Sequence, residues 1–253
     1  MDLPAWTGTG NPFAMNKKIV KNGIWAGTGL LAVAIVVMGI FLFRAGTKVV
    51  PGAPAPDVTT IRAKAEAGNA AAQNALGDLC AKGEWVPQSY GEAFKWYYSA
   101  AEKGIADAQY NLAVLYETGL GVTRDEAEAA KWHRKAAEQR HSGAEYNLAA
   151  MYATGRGVPR DATEAANLYR QAAEQGDALA QYNLARRYEV GKGVPVDRVE
   201  AYKWHKLAAR RGIEDAVNAM NDLKGQMTRA EISEGERRSG AFIAPNPAPA
   251  SSK

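Results

Sequence analysis

Cysteine is almost missing from this 253-residue chain, which holds Cys80 alone. A lone cysteine closes no internal disulfide, so it decides neither a stapled fold nor a redox compartment. Cys80 recurs at a 36-residue interval with Tyr116, Tyr152 and Tyr188, where a small core residue fits better than a reactive thiol. Histidine is scarce too, at three residues. His133 and His205 share a column with Tyr97 and Tyr169 on separate predicted helices, and read as packing residues rather than metal ligands. His141 falls in a turn, and spacing suggests no partner for it. The net charge is only +4, with basic residues dispersed and no basic stripe interleaved with aromatics. That speaks against a nucleic-acid partner. No catalytic motif stands out, and nothing calls for a cofactor. Glycine pairs such as Gly119 and Gly121 follow a predicted helix, not a strand, so they read as helix stops and not as a phosphate loop.

What the chain does have is a fixed period. Ala72, Ala108, Ala144, Ala180 and Ala216 form one column, Gly83, Gly119, Gly155 and Gly191 another, and Ala101, Ala137, Ala173 and Ala209 a third. Such a period marks a stack of repeated units. In each unit a first helix carries one apolar stripe, as at Ala108, Leu112, Leu115 and Tyr116. Beside the stripe, Gly77, Ala113, Ala149 and Ala185 let a neighbouring helix come close. The glycine column stops that helix, because glycine takes the left-handed conformation without a Cβ clash. A second helix opens on Ser89…Glu92, Asp125…Glu128, Asp161…Glu164 and Asp197…Glu200, each spaced as a reciprocal capping box. Trp96, Trp132, Leu168 and Trp204 form a column on that helix and point to the shared core.

These residues resemble the Sel1-like repeat, an α/α relative of the tetratricopeptide repeat. The pattern stands at 107–140, 141–176 and 177–212, with a divergent copy at 69–104 in which Trp85 replaces the second glycine. The resemblance implies an all-α fold, an α/α solenoid of helical hairpins, and a role in protein–protein assembly. It implies no reaction. Cell-wall-modifying activity, linked to relatives with paired cysteines, is a poor analogy for a chain with one.

The flanks differ in composition. Residues 1–22 form a basic segment without periodicity, with Met15 as an alternative start to Met1. Residues 23–43 carry no charge; at about 1.5 Å per residue they would span about 31 Å, close to a bilayer core. The stretch is longer than the usual signal-peptide core, so it reads as an uncleaved transmembrane anchor preceding the solenoid, the lipid bilayer being its partner. Lys17, Lys18 and Lys21 precede it against Arg44 and Lys48 after it, favouring repeats outside the cytoplasmic membrane. Residues 44–57 form a linker with Pro51, Pro54 and Pro56, residues 58–241 the solenoid with terminal caps, and 242–253 a disordered tail.

The candidate functional surface lies opposite the first-helix stripe: Tyr110 and Asn111, Tyr146 and Asn147, then Tyr182, Asn183 and Arg186. The resemblance implies that first helices line the concave side. There the asparagines would bond a partner's backbone amides, or alternatively bond one another as a structural ladder. Arg187 stands in the column of Leu79, Leu115 and Met151, where an arginine needs either solvent or an acidic group. The expected function is a non-catalytic, membrane-anchored scaffold for another protein or peptide with acidic character. The alternative is a regulator restraining a membrane sensor or envelope enzyme.

Overall fold

The computed structural model describes residues 57–242. The proposed anchor at 23–43 lies outside them, with most of the linker and the tail. Among the described residues no helix is long and apolar enough to cross a membrane. They form an all-helical solenoid: α1 (Val58–Glu66), α2 (Ala70–Lys82), α3 (Tyr90–Glu102), α4 (Ala106–Thr118), α5 (Glu126–Glu138), α6 (Ser142–Thr154), α7 (Ala162–Glu174), α8 (Ala178–Val190), α9 (Arg198–Arg210), α10 (Glu214–Lys224) and α11 (Arg229–Ala241). Four hairpins, α2–α3, α4–α5, α6–α7 and α8–α9, stack in order, each second helix packing on the next first helix. At the end, α10 and α11 both pack on α9.

The period works through small side chains. Ala108, Ala144, Ala180 and Ala216 are fully buried, as are Ala113, Ala149 and Ala185. With so little side chain at these contacts the helices approach closely, and Leu112, Leu148 and Leu184 fill the space between them. Gly77 shows how tight the fit is, since a Cβ there would stand 2.6 Å from the Tyr97 ring.

Both glycine columns have a mechanical reason. Gly83, Gly119, Gly155 and Gly191 end the first helices in the left-handed conformation. The second column, Gly121, Gly157 and Gly193, also has positive φ, but closeness is the stronger constraint. A Cβ there would lie 2.3 Å from the Tyr90 carbonyl carbon, 2.1 Å from Glu126 O or 1.8 Å from Ala162 O. Each second glycine thus rests on the first residue of the preceding unit's second helix. In the first unit Trp85 stands in this column. It keeps φ at 65° and leaves its indole exposed.

The four spaced boxes form only in half. Ser89, Asp125, Asp161 and Asp197 accept from the N3 amide of their helices. The glutamates do not reach back, contrary to the sequence reading. Glu92 accepts from Lys95 at 2.8 Å, Glu128 from Lys131 at 2.5 Å and Glu200 from Lys203 at 3.1 Å. The amides they would cap are already taken, since the backbone N–H groups of Ser89, Asp125, Asp161 and Asp197 donate to the carbonyls of Cys80, Tyr116, Tyr152 and Tyr188 at 2.9, 2.9, 3.0 and 3.0 Å. The reciprocal box closes at Thr228 and Glu231, which opens α11. That last helix covers the end of the stack, with Gly235 against Tyr202, Glu236 accepting from Lys206, and Arg238 bonded to Glu200.

Candidate partner-binding surface

The first-helix tyrosines are half-buried, because each leans on the second-helix column at 97, 133, 169 and 205. Ring centroids are 5.6 Å apart for Tyr110 and His133, 5.7 Å for Tyr146 and Tyr169, and 5.5 Å for Tyr182 and His205. Burial pushes the phenols of Tyr110 and Tyr146 up, opposed by Asn147 beside the first and Asn183 beside the second. Asn147 and Asn183 therefore meet the tyrosine of the preceding repeat and not another asparagine. The asparagine amide nitrogens have further neighbours: Asn111 Nδ2 donates to Asp78 at 3.2 Å and Asn183 Nδ2 to Leu179 O at 2.9 Å, while Asn147 Nδ2 lies 3.5 Å from His133 Nε2. No asparagine-to-asparagine ladder forms among them. Arg186 is exposed and donates to Glu189 at 2.7 Å.

Arg187 does neither thing expected of it. It is buried, its Nη1 donates to Ala162 O at 3.2 Å and Lys192 O at 3.1 Å, and its guanidinium lies 5.0 Å over the Tyr169 ring. Backbone carbonyls at the turn satisfy the cation, so it needs neither solvent nor an acidic ligand. Burial draws its pKa down, and burial of Tyr169 pushes that hydroxyl up to about 12 against the pull of Arg187.

Beneath the tyrosines lies a polar layer that single-column reading missed. His133 Nε2 is 3.4 Å from Glu117, which also faces Arg156 at 3.4 Å. His205 Nε2 is 2.6 Å from Glu189. Both imidazoles are fully buried. Burial opposes ionisation of Glu117 and Glu189, but the imidazole bonds and nearby arginines outweigh it and hold both carboxyls below their ordinary value. Where the column holds Tyr97 or Tyr169, the glutamate position is Ala81 or Ala153. The two columns thus alternate together over two repeats, and that joint alternation was the available signal. His141 was missed as well: its Nδ1 accepts from Ala144 N at 3.1 Å, capping α6, and its ring stacks on Tyr110 at 4.6 Å. Cys80 is buried, and burial pushes its thiol up. Among the described residues no group of three or more His, Cys, Asp or Glu side chains could hold a metal ion.

The 36-residue units of this helical stack match the Sel1 repeat at residues 70–105, 106–141, 142–177 and 178–213, more than half of the chain. The chain belongs to the Sel1 repeat family. It is similar to a Sel1 repeat protein from Oxalobacter formigenes at 30% identity, covering 83% of this chain and 85% of that one, with a TM-score of 0.64. It is also similar, at 27% identity and a TM-score of 0.52, to a protective antigen of uropathogenic Escherichia coli that displays an SLR fold. That match covers 85% of this chain and 53% of the antigen, so the present chain spans about half of it. No curated protein is significantly similar to the chain. Sel1 repeat proteins generally act as protein–protein interaction scaffolds.

Proposed function

We propose that this chain is a non-catalytic adaptor, held at a bacterial cytoplasmic membrane by residues 23–43, with its repeats outside the cytoplasm. Its first-helix surface takes an extended segment of a partner protein along Tyr110, Asn111, Tyr146, Asn147, Tyr182, Asn183 and Arg186. The observation that carries the reading is the orientation of the asparagine amides. Their nitrogens are directed at groups of this chain, while Oδ1 of Asn111, Asn147 and Asn183 accepts no hydrogen bond among the described residues. One acceptor per repeat suits a backbone that offers amide donors at intervals. Arg186, exposed beside them, supplies a cation for a carboxylate on the partner.

A photo-crosslinking residue at position 186 in the full membrane-held chain tests this. Discrete adducts that vanish when Asn147 and Asn183 are changed to alanine are expected. No adduct from position 186, with the chain folded and in place, would overturn the reading.

A further inference from the structure

Between α5 and α7, on the second-helix side, lies a cleft of about 390 Å³ lined by residues that include Arg134, Glu138, Leu148, Glu164, Leu168 and Gln171. Its size falls within the range of roughly 300–1,000 Å³ usual for pockets that bury a ligand. The repeat itself shows what is missing from it. One unit earlier, Leu168 corresponds to Trp132, Gln171 to Lys135, Glu138 to Glu102, Glu164 to Glu128 and Asn167 to Lys131.

At that earlier junction the space is filled and its charges are matched. The Trp132 indole is buried, Tyr98 meets it edge-on at 6.0 Å, and Lys135 lies 3.8 Å over its face. Glu102 faces Lys135 at 3.9 Å, and Glu128 accepts from Lys131 at 2.5 Å. One unit after the cleft, Trp204 is again buried, with Lys203 at 4.3 Å over its ring and Phe242 at 5.3 Å. The middle junction has lost the indole and both lysines but kept both glutamates, while Arg134 and Arg140 enter its lining where the earlier unit has Tyr98 and Gly104; Arg140 faces Glu145 at 3.7 Å and not the two glutamates of the cleft. Glu138 and Glu164 have no ion-pair or hydrogen-bond partner through their side chains among the described residues. The floor of Leu148 and Leu168 is apolar, and Arg134, donating to the Tyr152 hydroxyl at 2.8 Å, stands where Tyr98 stands.

We propose that this cleft docks a segment of a partner protein that inserts a tryptophan side chain flanked by lysine or arginine. The inserted ring replaces the absent indole, between the leucine floor and the Arg134 guanidinium, an arrangement favourable for a cation and an aromatic face. The flanking cations replace Lys131 and Lys135 at Glu164 and Glu138. This surface is distinct from the first-helix groove, so either site can fail without the other.

The probe is the peptide acetyl-Lys-Trp-Lys-amide carrying 5-fluorotryptophan, followed by fluorine NMR against the repeat-bearing full chain. Saturable binding to one site is expected, with perturbed methyl signals from Leu148 and Leu168. Leu168→Trp fills the cleft from within and should cut affinity at least tenfold while the chain stays folded. If Leu168→Trp does not fold, Glu138→Lys with Glu164→Lys takes its place, and should also cut affinity at least tenfold. Undiminished binding in a folded Leu168→Trp or in the charge-reversed chain would overturn the proposal. Equal binding of a peptide with alanine for tryptophan would do the same. Self-association abolished by Leu168→Trp, without peptide binding, would assign the cleft to a second copy of this chain and overturn the proposal as well.

Discussion

His205 Nε2 meets Glu189 at 2.6 Å, and two repeats earlier His133 Nε2 meets Glu117 at 3.4 Å in the same pair of columns. The repeat between them, and the one before His133, hold tyrosine with alanine instead. A buried imidazole needs a partner, whereas a tyrosine fills more volume and reaches elsewhere: Tyr97 OH donates to Asp78 at 2.7 Å. The pairs are therefore alternative solutions to one packing problem.

Glu189→Ala should cost about 1–3 kcal/mol, because it leaves the fully buried His205 without its partner and its Nδ1 is already unpaired. Adding His205→Tyr should recover most of that loss, since the double variant reproduces the combination found at Tyr169 and Ala153. Urea unfolding of the four members of the cycle gives the coupling. Additive losses would mean that the alternation has no energetic basis. Because Glu117 and Glu189 are held below their ordinary value of 4.5, the stability they contribute is present above that value. It is lost as pH falls through the lower folded value.

Glu145 supplies a prediction of the opposite sign. Gln73, Gln109 and Gln181 occupy its column, and each donates to a carbonyl eight residues earlier at 3.1 Å: Ala65 O, Ala101 O and Ala173 O. An ionised carboxylate has no proton to donate to Ala137 O. Glu145 is fully buried, and burial raises its pKa above the ordinary 4.5, against the pull of Arg140 at 3.7 Å and the bond from Gln175 at 2.6 Å. Glu145→Gln should therefore stabilise the fold by about 1 kcal/mol at neutral pH. A raised pKa makes the wild-type contribution complete below 4.5 and lost as pH rises through the folded value. The variant's advantage should accordingly shrink as pH falls toward about 4. Melting curves across pH check both parts, and an advantage independent of pH would contradict the argument.

Gly193→Ala should cost about 2–5 kcal/mol, combining left-handed strain of about 1–2 with overpacking of about 1–3. The Cβ would stand 1.8 Å from Ala162 O, and carbonyl backbone cannot step aside as a flexible side chain can. Denaturant titration of the variant tests it; a loss below half a kilocalorie would mean that the contact between units is loose.

The helical stack was legible because it depends on columns that act one at a time. An alanine every 36 residues, or a glycine at a helix end, carries its meaning alone. What stayed hidden depends on pairs of columns. Arg187 reads as an anomaly until its reach to Ala162 O and Lys192 O is known. The glutamates of the spaced boxes read as caps because spacing does not show that the cap amides donate instead to the carbonyls of Cys80, Tyr116, Tyr152 and Tyr188. The asparagine column showed that an amide recurs, but not that Asn147 and Asn183 would lie against the preceding unit's tyrosine while Asn111 bonds Asp78. Across repeats, direction is set by the superhelix and not by spacing.

Topology gives a prediction about the chain outside the described residues. A reporter active only outside the cytoplasm, fused after Lys253, should be active, since Lys17, Lys18 and Lys21 precede the uncharged stretch and favour the inner side. Activity of a cytoplasmic reporter at the same junction would reverse the proposed orientation.

The first-helix surface is tested by Asn183→Ala combined with Arg186→Ala. Asn183 Nδ2 donates to Leu179 O on its own helix, and Arg186 is exposed with Glu189 as its partner. Glu189 keeps His205 when Arg186 is removed, so no buried charge is stranded. Folding should stay within about half a kilocalorie of wild type, the range of surface changes away from buried networks. A charge-assisted bond from Arg186 to a partner carboxylate would contribute about 1.5–3 kcal/mol, against roughly 1 for a neutral bond. Recovery of the partner in a pull-down from membranes should therefore fall at least about tenfold, since ~1.4 kcal/mol suffices for that. Unchanged recovery with an unchanged melt would remove this surface from the proposed function. A lowered melt would instead show that Asn183, lying against Tyr146, holds neighbouring repeats together.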